Sequence, residues 1–445
     1  MAERPHHIVP HHIVIVGGGA GGLVLATKLG NRLGRRGRAQ ITLIDNALTH
    51  IWKPLLHEVA VGTMGPHNDD VNFLGHARDH HFAFQPGRMD GLDRAKREVH
   101  LAPILDPDGE EVTPARQIAY DTLVVAVGST SNDFAIPGVA EHCLYLDSYQ
   151  QADRFQQRLL SICLRAQFEP DRPPGKVLRI AIVGAGATGV ELSAEMHKAL
   201  RHLSDYGLDR IDVTRDVEIS LIEAAPRVLP NLPERLSEAT EKELKKLGIQ
   251  VHTNESVVSV SHDGITTRSG RFLPAEIKVW SAGVKAADFL KDLDGLETNR
   301  INQLVVLETL QTTRDGDVFA IGDCAACPRP GSEYPVPPRA QAAYQEAMLL
   351  ARTLEGRVEG RPGGKPPRRF VYRDYGSLIS LSYSSVGNLM GNLFGSVMLE
   401  GMIARLAYLS LYKKHQLALH GFVWVAFATL ANLIKRRTEP RLKLH

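Results

Sequence analysis

Ile13-Val14-Ile15-Val16-Gly17-Gly18-Gly19-Ala20-Gly21-Gly22 decides the fold, and Ile180-Ala181-Ile182-Val183-Gly184-Ala185-Gly186-Ala187-Thr188-Gly189 repeats its pattern. Each is a short apolar run of the kind that lies in a covered parallel sheet, followed by a G-x-G-x-x-G turn opening a helix. The first glycine of each turn (Gly17, Gly184) permits the tight bend. The second (Gly19, Gly186) lets a pyrophosphate approach the backbone, and the third (Gly22, Gly189) lets helix and strand pack closely. The helix N-terminus then stabilises the phosphate charge. One such turn is a weak signal; two imply two bound dinucleotides.

Both turns are followed by a further apolar strand ending in an acid: Ile41-Thr42-Leu43-Ile44-Asp45 and Ile219-Ser220-Leu221-Ile222-Glu223. An acid there accepts hydrogen bonds from ribose hydroxyls and repels a 2′-phosphate, which favours NADH over NADPH. Leu123-Val124-Val125-Ala126-Val127-Gly128 and Val279-Trp280-Ser281-Ala282-Gly283 are two more buried strands, and Gly128 and Gly283 are expected to bring backbone close to a cofactor.

The 445 residues suggest two or three domains. With Lys plus Arg at 52 and Asp plus Glu at 50, no strong field points to nucleic acid. Four cysteines (Cys143, Cys163, Cys324, Cys327) make no disulfide framework, and the N-terminus lacks a secretory apolar stretch, so a reducing compartment is expected. His6, His7, His11 and His12 precede the first apolar run without other candidate ligands and read as a solvated tail rather than a metal site. The stretch from Glu169 to Gly175, with three prolines, reads as a domain boundary, and Arg357 to Arg369 as a surface linker.

On these motifs the chain resembles the two-dinucleotide-binding flavoprotein oxidoreductases, over roughly residues 12 to 355. The resemblance implies FAD in the first unit and a nicotinamide nucleotide in the second. Val318-Phe319-Ala320-Ile321-Gly322-Asp323 is similar to the late Gly-Asp that returns to the flavin, so Asp323 is expected at the FAD ribityl or pyrophosphate region. The disulfide reductases of this superfamily carry a redox cysteine pair soon after the first unit, and His50 to Gly65 holds no cysteine. Cys324-Ala325-Ala326-Cys327 has redox spacing without the strand-to-helix context of a thioredoxin-like site.

Pro338-Arg339-Ala340-Gln341-Ala342-Ala343-Tyr344-Gln345-Glu346-Ala347 narrows the branch: it resembles the quinone-site helix of the type II NADH:quinone oxidoreductases, as do Trp52 and Pro54-Leu55-Leu56-His57-Glu58-Val59-Ala60. Gln341 and Gln345, four apart, project from one helix face and are expected to present amides to a quinone ring or flavin edge. Glu191, in the first turns of the second fingerprint helix, matches the family's acid facing the nicotinamide and quinone region, where it would supply protons or position the nicotinamide. Helix-dipole stabilisation of a carboxylate is its alternative reading. At Ser384-Ser385 the chain departs from the family, which usually has a basic residue there. The resemblance implies non-electrogenic transfer of two electrons from NADH through FAD to a membrane quinone of a respiratory chain, with no metal. Two alternatives remain open: sulfide:quinone oxidoreduction using Cys163 and Cys327, and an NADH-sensing membrane flavoprotein with little turnover.

Beyond Phe370 the apolar content rises, from Leu393 to Tyr412 and from Gly421 to Ile434. Val397, Met398, Met402, Leu406, Leu409 and Tyr412 recur at helical spacing and read as an amphipathic helix. His415 to Ile434 carries no Asp, Glu, Lys or Arg and is long enough in principle to span a bilayer. Its polar interruptions and the basic clusters Lys413-Lys414 and Lys435-Arg436-Arg437 favour an anchor lying on anionic headgroups, with a protein-buried or dimer-contact helix as another reading.

The expected architecture is therefore α/β, with two Rossmann-like units. A discontinuous FAD domain would take residues 1–170 and 285–390, an inserted NADH domain 171–284, and a membrane-anchoring segment 391–445. The expected partners are NADH, a membrane quinone, the phospholipid surface and a second copy in a homodimer. Without an Arg-rich, Ser-rich leader, the expected place is the cytoplasmic face of a bacterial inner membrane.

Overall fold

The structure, a computed structural model, describes residues 10–64, 70–168, 178–208, 210–360, 368–381, 384–391 and 395–435. His6, His7, the break from Glu169 to Gly175, residues 361–367 of the linker, Leu393, Arg436 and Arg437 lie outside the described residues.

The chain builds two compact units and passes between them more than once. The first takes residues 1–50, 70–130 and 285–373, and the second 51–69, 131–284 and 374–445. The chain begins in the first with β1 (His11–Val16), α1 (Gly22–Arg32), β2 (Ala39–Asp45), β3 (Ala83–Pro86) and β4 (Thr122–Val125). It continues in the second with α2 (Tyr149–Phe168), β5 (Leu178–Val183), α3 (Ala187–Asp205), β6 (Val217–Ile222), β7 (Gln250–His252) and β8 (Ile277–Trp280). It returns to the first for β9 (Val318–Ala320) and α4 (Ala340–Val358). The described chain ends in the second with β10 (Gly376–Leu381), β11 (Ser384–Gly391), β12 (Gly395–Glu400), α5 (Gly401–His420) and α6 (Phe422–Lys435).

In the first unit the sheet order is β9-β4-β1-β2-β3, all neighbours parallel. In the second it is β7-β6-β5-β8, again parallel. Each fingerprint strand is paired along both edges and buried on both faces: Ile13, Val14, Ile15 and Ile182 are fully inaccessible. Each glycine turn leaves the carboxyl end of the strand where the connections diverge, the crevice in which open α/β sheets bind ligands.

The compact units divide the chain elsewhere than composition suggests. After a short excursion at 51–69 the chain leaves the first unit again at Ser131, so α2 packs in the second unit, where Phe155, Leu159 and Cys163 share a core with Ile180, Ile182 and Val190. Residues 51–69 and everything from Asp374 onward also belong to that unit.

Three expectations are corrected. His11 and His12 are part of β1: the His11 Nε2 is 3.0 Å from the Thr122 hydroxyl and the His12 Nε2 is 2.9 Å from the Thr42 hydroxyl. The helix expected to include Val397 and Met398 begins only at Gly401, because Gly395–Glu400 instead pairs antiparallel with β11, Val386 opposite Glu400. The apolar stretch from His415 onward is also split, since Gly421 adopts a φ of +79 between α5 and α6. Among the described residues no helix is long and apolar enough to cross a membrane.

Candidate active site

The two glycine turns have the same construction. Gly17 (φ +106) and Gly184 (φ +99) lie in backbone conformations that L side chains rarely adopt, and each crosses a neighbouring strand end so closely that a Cβ would collide, with Ala126 and with Ser281–Ala282 respectively. A Cβ on Gly22 would strike the Gly17 carbonyl, and one on Gly189 the Gly184 carbonyl. Around Gly19 and Gly186 there is open space, with nothing within 4 Å of the built Cβ. Neither α1 nor α3 is capped by a side chain at its N-terminus. Room at the second glycine beside an uncapped helix start is what a pyrophosphate requires, so both turns fit a dinucleotide.

Each strand-end acid closes against its own turn. Asp45 Oδ2 accepts from the Gly18 amide at 2.6 Å and Oδ1 from the Ala47 amide at 2.8 Å. Glu223 repeats this with Ala185 at 2.7 Å and Ala225 at 2.9 Å. A carboxylate accepts about four hydrogen bonds, so capacity for ribose hydroxyls is retained while these bonds hold the acid in place. Replacing Glu223 by Ala is expected to raise the KM for NADH about tenfold, with kcat at saturation nearly unchanged; steady-state kinetics against NADH checks it.

In the first unit, Asp323 follows β9 and its Oδ2 accepts from the Ser129 hydroxyl at 2.7 Å, beside Gly128, whose Cβ position is open. The start of α4 packs on the first fingerprint: a Cβ on Gly21 would lie 3.2 Å from the Ala343 carbonyl oxygen. Gln341 occupies the first turn of α4, at the glycine-turn end of the unit. Gln345 is engaged differently from expectation. Its Nε2 donates to the Arg373 carbonyl at 2.8 Å and its Oε1 accepts from the Arg373 amide at 3.1 Å, so both ends of the amide tie the returning chain to α4.

Glu346, unnoticed beside Gln345, is buried and its Oε2 accepts from the Gly322 amide at 2.6 Å; burial pushes its carboxyl up to about 8. Helical spacing contained a signal for it, because residue 346 lies on the buried stripe with Ala342, Ala343, Ala347 and Leu350.

In the second unit, Gly283 lies against Phe134, whose ring a Cβ there would meet. Glu191, on the fifth residue of α3, is buried at 7% exposure. Its Oε1 accepts from the Ser380 amide of β10 at 2.9 Å, and its Oε2 lies 3.9 Å from Nδ1 of His57. Burial pushes this carboxyl up to about 8 against the pull of the Ser380 hydrogen bond, with Glu58 and Glu195 adding repulsion. A shift in this direction favours the protonated carboxyl, the opposite of what a helix dipole alone would do. Ser385, opposite Ser380 in the β10–β11 ladder, is fully buried, and its hydroxyl has no hydrogen-bond partner among the described residues.

All four cysteines are free and buried. Burial pushes the Cys163 thiol up to about 11 and the Cys143, Cys324 and Cys327 thiols up to about 12. Nucleophilic sulfur chemistry needs thiolate, so neither Cys163 nor Cys327 is activated for sulfide oxidation.

At the end of the described chain, Trp52 stacks on Tyr412 and His415 of α5, with ring centroids 5.2 and 5.5 Å apart. The next helix, α6, leaves Phe422, Val423, Trp424, Phe427 and Leu430 exposed, Phe422 at 77% and Phe427 at 71%.

Residues 11–347 match the pyridine nucleotide-disulphide oxidoreductase family. The type II NADH:quinone oxidoreductase of Haemophilus influenzae is 44% identical, over 98% of this chain and 100% of its own length. The type II NADH:quinone oxidoreductase Ndh of Mycobacterium tuberculosis is 30% identical, over 90% and 83%. Among solved structures, NDH2 from Plasmodium falciparum in complex with NADH superposes with a TM-score of 0.79 at 19% identity, covering 98% of this chain and 99% of that one, and shares the fold.

Proposed function

The chain belongs to the type II NADH:quinone oxidoreductases, FAD-dependent enzymes that carry electrons from NADH to quinone, and from that premise we propose how its own residues divide the work. The Gly17-Gly19-Gly22 turn with Asp45, Gly128 and Asp323 holds FAD in the first unit, and the Gly184-Gly186-Gly189 turn with Glu223 and Gly283 holds NADH in the second. Bound FAD supplies hydride acceptance and two-electron delivery. The protein supplies binding, orientation and the proton.

Glu191 is the proton source. Reducing a quinone by two electrons requires two protons, and a carboxyl kept protonated at neutral pH by burial is a general acid at the working pH. That observation carries the assignment. Gln341 orients the quinone through its side-chain amide, while Gln345 shapes the site by pinning Arg373 to α4. Gln341→Leu is expected to lower kcat/KM for a short-chain quinone about tenfold and to leave reduction of the flavin by NADH within a factor of about two. The overall assignment is tested by mixing protein and NADH without oxygen, following loss of the visible flavin band, then adding a short-chain quinone. Fast bleaching and fast recovery support it; absent bleaching overturns it.

Enzymes of this family are membrane-associated. For this chain the exposed apolar face of α6 is the contact, lying in the interfacial layer, with Lys413 and Lys414 near anionic headgroups. A lipid quinone then meets the protein from the bilayer while NADH arrives from water, on the cytoplasmic face of a bacterial inner membrane. The same face is available to a second copy in a homodimer. Phe422→Glu with Phe427→Glu is expected to reduce binding to vesicles containing anionic lipid by at least about tenfold, with turnover of a soluble quinone unchanged; co-sedimentation and an activity assay check the two halves. Retained vesicle binding would move the contact elsewhere.

A further inference from the structure

We propose that His57 is a positioning residue that restores the proton of Glu191 in each turnover, the two side chains acting as one buried proton-sharing pair. The inference rests on the reading of Glu191 as the proton source for the quinone.

The local fold carries the imidazole inward. A single turn at Lys53–Leu55 leads into the Leu56–Ala60 helix, whose Leu56, Val59 and Ala60 enter the apolar cluster that contains Val190, Leu192 and Ala194 of α3. His57 is buried with them at 3% exposure. The Ser380 amide holds Glu191 Oε1, which leaves Oε2 as the oxygen facing His57 Nδ1 across 3.9 Å. That gap is longer than a hydrogen bond, so a small movement of either side chain closes it for the proton to pass. Burial pulls the imidazole down to about 4 while it raises the carboxyl, so at neutral pH the pair holds one labile proton, on Glu191.

The other titratable groups packed around the pair do not take this role. Glu58, on the same short helix, adds negative charge that favours the protonated Glu191. Glu195 is committed to Lys198 at 2.7 Å. The Cys163 thiol, in the same apolar cluster, is pushed up to about 11, and His415 is stacked on Trp52.

The step balances. NADH gives two electrons and one hydrogen, the quinone gains two electrons and two hydrogens, and the missing proton comes from water. The Glu191 O–H breaks as an O–H forms on the quinone oxygen, leaving a carboxylate opposite the imidazole. That charge raises the basicity of His57, which takes a proton from water and becomes imidazolium. Its N–H then breaks and the Glu191 O–H forms again. Neither residue is oxidised or reduced.

The experiment uses the FAD-loaded full chain and separates the half-reactions by stopped flow. In His57→Gln, reduction of the flavin by NADH is expected to stay within a factor of about two, while reoxidation by a short-chain quinone slows at least about tenfold. In His57→Ala, added imidazole is expected to restore reoxidation and pyrazole, of the same shape but far weaker basicity, is not. Equal rescue by both azoles, or unchanged reoxidation in His57→Gln, overturns the proposal. If His57→Ala does not retain flavin, His57→Gln decides alone. Glu191→Gln separates the two levels: if it too leaves reoxidation unchanged, the reading of Glu191 fails. If it slows reoxidation and His57→Gln does not, only the inference about His57 fails.

Discussion

Glu191→Gln is expected to slow flavin reoxidation by quinone about a hundredfold while reduction by NADH is retained, because the amide keeps the shape and the Ser380 hydrogen bond but carries no acidic proton. Reoxidation of the unmutated enzyme should fall as pH rises through about 8, where Glu191 loses its proton, and the variant should lack that fall. Stability provides a second readout with a defined sign. The folded value of about 8 lies above the ordinary 4.5, so the folded chain binds the proton more tightly than the unfolded one. This contribution is fully present below about 4.5 and is lost as pH rises through about 8. Thermal unfolding of Glu191→Gln should therefore depend less on pH across that window than the parent. An unchanged pH profile for reoxidation would remove Glu191 from proton delivery.

Gly22→Val is expected to abolish flavin binding, giving colourless protein with no NADH oxidation. Even one Cβ at this position would strike the Gly17 carbonyl, and the neighbouring Ala126 side chain blocks retreat. Backbone must move, and with it the uncapped start of α1 and the open space at Gly19 where the pyrophosphate is expected. Gly189→Val is the matched test of the second turn, where the obstructing groups are the Gly184 carbonyl and the Ser281 hydroxyl. It should spare the flavin and raise the KM for NADH by at least about tenfold. Flavin absorbance of the purified variants checks the first outcome and NADH titration the second. Normal flavin content in Gly22→Val would refute the placement of FAD in the first unit.

The two parallel sheets were legible because their information is local. A buried strand, a glycine turn and a helix start occupy about ten consecutive residues, and each glycine answers to a neighbour already implied by the motif. Asp45 and Glu223 were readable for the same reason, each lying at the end of the strand that follows its turn. Sequence also distinguished the branch through Gln341 and the residues around it. Long-range pairing was not readable. Val397 and Met398 fall in helical spacing with Met402, Leu406 and Leu409, yet Gly395–Glu400 is a strand, because β11 offers it a ladder that local periodicity does not encode. Gln345 reads as a partner of Gln341 on one helix face until the chain from Arg373 returns and takes both ends of its amide.

The sequence by itself determined that this protein has two dinucleotide turns, which acids attend them, and which helix resembles the family's quinone-site helix. Only the tertiary structure decided the state of Glu191. A carboxyl four residues into a helix is ordinarily ionised, and what pushes its pKa up here is removal from water by the packing of α3 with β10 and the Leu56–Ala60 helix. Burial also decided that the four cysteines are not thiolates and that His57 stands 3.9 Å from Glu191. Those groups are far apart along the chain, and desolvation depends on what the fold places around a group rather than on its sequence neighbours.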